Sequence, residues 1–223
     1  MTQQTVPSSV HRTHAHLLVW AVLVLICAPE LVIRAADAGW IGSALWRPLS
    51  VQYGAFWPGR LRDWQPNYAG QPWAMFLSYS VLHIGLGHMA GNALVLWWLG
   101  PQVIDHVGAR GFAVVWATSA VMGGASFGLL APGPVPMVGA SGCVFGLLGV
   151  VIAHRYLLPG RIWAAAGIVA GLAALHLVTL ALQENGIAWQ PHLGGFLTGT
   201  VLALSQSRAH GRGGRPNSAT SKN

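Results

Sequence analysis

Six apolar stretches, at residues 15–33, 76–99, 111–130, 139–158, 162–182 and 187–204, take up most of the sequence. Each approaches the ~20 residues that an α-helix needs to cross the hydrocarbon core of a bilayer. The charges a water-soluble surface requires are missing. Only 8% of the 223 residues are Asp, Glu, Lys or Arg, against about 25% in ordinary soluble proteins, and 53% are hydrophobic. That apolar fraction excludes disorder over most of the length. Two cysteines, Cys27 and Cys143, do not make a disulfide scaffold. The expectation is an all-α, multi-pass membrane protein, because a helix satisfies its own backbone hydrogen bonds in lipid. Pro29 and Glu30 interrupt the end of the first stretch. Ala36, Ala38 and Gly39 beyond it form only a loose cleavage signal, so the stretch reads as a retained helix and not a signal peptide.

The connections orient these spans. The one long connection, 34–72, carries Trp40, Trp46, Trp57 and Trp64 with scattered Pro and Gly, and Trp73 follows it. Indole rings favour the membrane–water interface, so this segment is expected to lie along the membrane surface. The turn before the fourth stretch, 131–136, is too rich in Pro and Gly to be helical throughout. With six spans, Arg12, Arg110, Arg155, Arg161, Arg208, Arg212, Arg215 and Lys222 fall on one side. Arg34, Arg47, Arg60 and Arg62 fall on the other, all in the long connection. The positive-inside rule then places both termini in the cytoplasm. Residues 1–14 are expected to be a short cytoplasmic segment, 15–205 a membrane domain, and 206–223 a basic, disordered cytoplasmic tail. The formal charge of +7 is thereby an orientation signal, and a nucleic-acid partner is not expected.

Polar residues inside apolar spans are costly and are functional candidates by default. Gly139-Ala140-Ser141-Gly142 opens the fourth span directly after the Pro-rich turn. Ser141 is expected near a helix N-terminus, where unpaired N–H groups and the helix dipole can stabilise an oxyanion. The tetrapeptide alone equally fits a Ser N-cap with packing glycines. His192 lies near the start of the last span, followed by Gly195 and Gly199 on one helix face. Gly142 and Gly146 form a similar stripe beside Ser141. Small residues at such spacing let membrane helices approach closely, so two glycine-faced helices could bring Ser141 and His192 together. A histidine that merely caps a loop is the alternative. His83, His88 and Asn92 open the second span, with His88 and Asn92 on one face. They can donate hydrogen bonds to a developing negative charge, or form a structural cluster or part of a metal site. No His-Glu-x-x-His is present, and no acid lies in the spans carrying these residues. In the six-span layout all three groups fall at one depth and one face.

At these residues the chain resembles the rhomboid intramembrane serine proteases. The resemblance covers roughly residues 15–205. It is carried by His83-x4-His88-x3-Asn92, Gly139-Ala140-Ser141-Gly142 and His192-x2-Gly195-x3-Gly199, in the family's order and its six-helix layout. It implies a Ser–His dyad with Ser141 as nucleophile and His192 as general base. It also implies an oxyanion site of His88, Asn92 and the Ser141 backbone N–H, with His83 in support. Cleavage of transmembrane protein substrates near the outer membrane boundary is implied, with no metal or organic cofactor. The expected setting is the plasma membrane of a bacterium, the site facing the extracytoplasmic side.

Two departures stand out. Where the family often has Tyr one turn after the nucleophile, this chain has Phe145, which keeps the ring contact and lacks the hydroxyl. The family's Trp-Arg pair shortly before the first His is absent: Ala74 follows Trp73, and Trp46-Arg47 is too far upstream to carry over. No third-member carboxylate is evident, since Asp37 and Asp63 lie in the long connection, Asp105 on the cytoplasmic side and Glu184 in a loop. The loop 183–190 could flex as a gate. His176 reads as a structural histidine, and Cys143 as a small packing residue. The alternative function is a catalytically silent rhomboid-like protein that binds membrane proteins for trafficking or degradation. A transporter would more naturally show inverted repeats or deeply placed charges, and neither is seen.

Overall fold

A computed structural model describes the backbone of residues 9–131, 133, 135–182 and 188–213, and the side chains of 17–131, 133, 135–174 and 188–207. Among the described residues the protein is all-helical, without a strand. Its helices are α1 (Ser9–Asp37), α2 (Trp46–Gly54), α3 (Gln71–Ser78), α4 (Leu86–Leu130), α5 (Ser141–Ile152), α6 (Ile162–Leu182) and α7 (Gln190–Gly213). Two of them contain stretches long and apolar enough to cross a membrane, Leu17–Asp37 and Leu86–Leu130.

Helix α4 has 45 residues, which would run about 68 Å if straight, over twice the thickness of a hydrocarbon core. It is broken at Gly108, whose φ of 74° and ψ of 170° are non-helical. Both arms pack into one core. Leu96, Leu99 and Val103 come from the first arm, and Phe112 and Val115 from the second. They meet Val144, Leu147 and Val150 of α5 and Val19, Leu23 and Ile26 of α1. Helices α4, α5 and α7 pack mutually against one another, and α5 buries Gly142, Cys143, Val144, Gly146 and Leu147. It ends in a π turn, Ala153–Leu157. Outward-facing side chains remain apolar, among them Trp20, Leu94, Trp97, Trp98, Leu129 and Trp163. An apolar exterior of this kind is matched to lipid and would be a liability in water.

The close helix contacts are made by glycines. A Cβ on Gly195 would collide with the carbonyl of Gly142, and one on Gly199 with the carbonyl of Gly146. This backbone-to-backbone approach follows from the two glycine stripes and brings the starts of α5 and α7 together.

The structure corrects several expected boundaries. The stretch 76–99 is not one helix. Residues 71–81 form α3 and a 3-10 turn, Tyr79–Val81. The backbone is then extended at Leu82, Gly85 has φ 148°, and helix resumes at Leu86. The long connection is ordered by α2, a 3-10 turn at Pro58–Leu61 and α3. Beneath it lies a second small core of Phe56, Met75, Tyr79, Phe127 and Met137. Helix α1 begins at Ser9, inside the expected cytoplasmic segment. Helix α7 runs to Gly213, past the expected start of the tail; after Pro191 in its first turn, where a missing N–H is tolerated, the sequence has no Pro until Pro216.

Candidate active site

Ser141 is the first residue of α5, and the turn before it is tight. Gly139 has φ 133°, a conformation that L side chains avoid, and its N–H donates to the Tyr79 carbonyl at 2.9 Å. Two residues earlier, Phe56 and Met137 exchange backbone hydrogen bonds of 2.9 and 3.0 Å. The approach to Ser141 is thus stitched by backbone to the 3-10 turn at Tyr79 and to the long connection. Tyr79 is itself fixed, its hydroxyl donating to the Ala120 carbonyl of α4 at 2.8 Å.

His192 is the third residue of α7. Its Nε2 lies 2.8 Å from Ser141 Oγ, although the two residues are 51 apart in sequence. Phe145, one turn after Ser141 on α5, stacks on the imidazole with ring centroids 4.3 Å apart and an interplanar angle of 8°. The glycine contacts described for α5 and α7 set this spacing. Gly195 and Gly199 of α7 lie against the carbonyls of Gly142 and Gly146, so the two helix backbones approach each other directly beside the pair.

His88, the third residue of α4, closes the other flank. A Cβ on Gly139 would fall 2.7 Å from His88 Cε1 and 2.9 Å from its Nε2, so the imidazole lies directly against the turn before Ser141. His83 is buried and meets His88 edge-on, with centroids 5.1 Å apart and planes at 76°. Among the described residues, Nδ1 of His88 has no hydrogen-bond partner. Asn92 is buried, and its Nδ2 donates to the His88 carbonyl at 3.0 Å. Its amide is therefore engaged with its own helix in this arrangement. Ser141, His192, His88 and His83 thus lie in one neighbourhood, at or just before the starts of α4, α5 and α7, with Asn92 one turn further along α4.

Among the described residues no group of three or more His, Cys, Asp or Glu could hold a metal ion. Cys143 is fully buried. The side chain of His176, Glu184 and most of the expected gate at 183–190 lie outside the described residues.

Sequence reasoning missed three features. Ser119 of α4 is fully buried, its Oγ unpaired among the described residues, and a Cβ on Gly146 would collide with it. A lone Ser in an apolar run carries no pattern that would have singled it out. Gln190, at the start of α7, is buried, with Oε1 unpaired among the described residues. Glu30 is not a mere interruption of the first span. It is fully buried and forms an ion pair with Arg47, 3.0 Å from Arg47 Nη2. A carboxylate inside an apolar stretch was the available signal.

Apolar helices on which a half-buried serine and histidine meet through glycine-lined faces define a membrane protein with a Ser–His pair. Comparison with known proteins is in accord. The rhomboid domain matches residues 69–209, and the chain belongs to the rhomboid family. Membership makes it an integral membrane protein. It is 30% identical over 146 residues to the rhomboid protease GluP of Bacillus subtilis (strain 168), covering 63% of this chain and 28% of that one. It is 29% identical over 138 residues to the rhomboid protease GlpG of Photorhabdus laumondii subsp. laumondii, covering 60% of this chain and 47% of that one. Rhomboid protein 1, mitochondrial, of Saccharomyces cerevisiae is 28% identical over 142 residues, with 57% and 40% covered. The chain thus matches less than half the length of each of these curated relatives.

Proposed function

We propose that the protein is an intramembrane serine endopeptidase that hydrolyses peptide bonds of transmembrane protein substrates near the outer membrane boundary. The observation that carries this reading is the 2.8 Å contact between Ser141 Oγ and His192 Nε2. At that distance the imidazole can take the hydroxyl proton as Oγ attacks the scissile carbonyl, then return it to the leaving amine. The general-base role requires neutral His192 with its Nε2 lone pair facing Ser141 and the Oγ–H donating. Water then attacks the acyl-enzyme, again with His192 taking the proton.

The carbonyl oxygen becomes negative in the tetrahedral intermediate. The Ser141 N–H, at the first turn of α5, has no intrahelical partner and can donate to it. His88 beside Gly139 supplies a second donor. Asn92 supplies a third once its amide turns from the His88 carbonyl. His83 supports the His88 ring edge-on. The flat face of Phe145 limits the rotation of the His192 imidazole.

The same proposal includes six membrane crossings within 15–205, with both termini in the cytoplasm. A basic cytoplasmic tail follows, and the surrounding bilayer is a bacterial plasma membrane. The Lys and Arg distribution supports this orientation. The starts of α4, α5 and α7 then lie on the extracytoplasmic side, where water can reach Ser141.

The deciding experiment incubates the purified chain, in vesicles, with a panel of single-span substrates beside Ser141→Ala. Cleavage by the wild type alone is expected. Labelling of Ser141 by a serine-reactive phosphonate is expected as well, and is lost in His192→Ala. Equal cleavage by wild type and Ser141→Ala would sink the serine mechanism.

A further inference from the structure

Helix α2 is anchored at both ends. At its start, Arg47 Nη1 and Nη2 donate to Glu30 Oε2 and Oε1 of α1 at 3.1 and 3.0 Å, and Nε donates to Asp37 Oδ2 at 2.7 Å. Glu30 is fully buried, and these are the only ion pairs among the described residues. At the other end, Ala55 caps the helix, and the next residue, Phe56, pairs through its backbone with Met137. The Phe56 ring is locked edge-on against Phe76, Tyr79 and Phe127, with centroids 5.0, 6.0 and 6.1 Å away. The nine residues of α2 span about 13 Å, so the helix is a short strut between α1 and the segment that leads into Ser141. Its second half is also tied to α3, with Ser78 Oγ donating to the Gly54 carbonyl and Gln71 Nε2 to that of Gln52. The polar tie to α1, among the described residues, is Arg47 alone.

We propose that Arg47 and Glu30 are positioning residues for the reaction at Ser141. The ion pair fixes α2 against α1, and α2, through the Phe56–Met137 pairing, sets the backbone of 137–140 that presents Ser141 to His192. Both residues lie outside the stretch 69–209 that the rhomboid domain matches. Replacing a buried ion pair by well-packed apolar side chains often costs no stability. What the two-pronged guanidinium–carboxylate contact adds is geometry, because it fixes both the distance and the rotation of two elements. The catalytic consequence rests on the protease reading. The strut itself does not.

The test uses the full chain in vesicles with four variants: Arg47→Ala, Arg47→Lys, the double replacement Glu30→Leu with Arg47→Leu, and Arg34→Ala. Arg34 is an exposed arginine in the last turn of α1, outside the clamp. The readouts are thermal unfolding, amide hydrogen exchange at Phe56 and Met137, kcat and KM for a cleaved single-span substrate, and the rate of Ser141 labelling by a phosphonate. The double leucine variant should unfold near the wild-type temperature. Exchange at both amides should rise about tenfold or more in it and in Arg47→Ala. Both should lose about tenfold in kcat and in labelling, with KM little changed. Arg47→Lys should recover part of the loss, and Arg34→Ala should match the wild type. A folded double leucine variant with wild-type kcat, or with wild-type exchange at Phe56 and Met137, overturns the positioning role. If the wild type neither cleaves nor labels, the protease reading fails, and the exchange measurement alone decides whether the ion pair holds the strut.

Discussion

Phe145 lies flat on His192, with ring centroids 4.3 Å apart and planes 8° from parallel. Ser141 and Phe145 are one turn apart on α5, so one helix carries both the hydroxyl and the surface that sets the plane of the imidazole opposite it. An aromatic contact of this kind contributes about 0.5–1.5 kcal/mol beyond burial. If that energy orients His192, Phe145→Ala should slow phosphonate labelling of Ser141 by about 2–12-fold, and Phe145→Tyr should stay close to wild type. A Phe145→Ala protein that labels at the wild-type rate would mean that another contact orients the ring.

Asn92 offers a graded test of the oxyanion site. Losing one such donor costs about 2.7–4 kcal/mol of transition-state stabilisation in other serine proteases. Here the Asn92 amide donates to the His88 carbonyl at 3.0 Å, and it must give up that bond to reach the oxyanion. The net gain is smaller, so Asn92→Ala should reduce kcat by about 10–100-fold, well short of the loss in Ser141→Ala. Single-turnover kinetics on a cleaved single-span substrate would measure both. Equal losses in the two variants would show that Asn92 does more than donate one hydrogen bond.

The helices were legible where apolar runs are long and end in polar or Pro-rich sequence. The run 162–182 coincides with α6, and Ser141 follows the Pro-rich turn as the first residue of α5. The break at 82–85 was not legible, because Leu82 and Ile84 are as apolar as the helix beyond and hydropathy does not register the φ of Gly85. The approach of Ser141 to His192 could be anticipated from the matched glycine spacings on their two helices. The state of Asn92 could not, since one amide can serve its own helix or a substrate without any change in sequence. Glu30 was visible as an oddity, but its partner lies 17 residues away in a connection without periodicity. A buried charge becomes interpretable only when the residue that neutralises it is known.

Gly139 separates local geometry from global fold. Its φ of 133° strains any other residue, and a Cβ there would lie 2.7 Å from His88 Cε1. Gly139→Ala should therefore displace either His88 or the turn that presents Ser141. Since the site sits at one end of the bundle, the helical core should survive. The expected result is a loss of about 100-fold or more in labelling and cleavage, consistent with the sensitivity of reacting groups to small misplacements. The far-ultraviolet circular dichroism and thermal unfolding should change little. Full activity in Gly139→Ala would show that the imidazole of His88 has no fixed place beside the turn.

The glycines between α5 and α7 make the opposite prediction, a global one. A methyl group on Gly195 or Gly199 would meet a carbonyl oxygen of α5, and backbone cannot move aside as a flexible side chain can. The helices must separate or tilt, at a cost of about 1–3 kcal/mol for overpacking, partly offset by the better helix propensity of Ala. Helix α6 supplies internal controls, because a Cβ on Gly167 or Gly171 meets nothing within 4 Å among the described residues. There Gly→Ala should be neutral or stabilising by up to about 1 kcal/mol. Thermal unfolding in vesicles should rank Gly167→Ala and Gly171→Ala at or above wild type, with Gly195→Ala and Gly199→Ala below it. The two lower variants should also lose labelling of Ser141, because His192 moves with α7. Wild-type stability and labelling in Gly195→Ala and Gly199→Ala would exclude glycine contact as the device that brings Ser141 and His192 together.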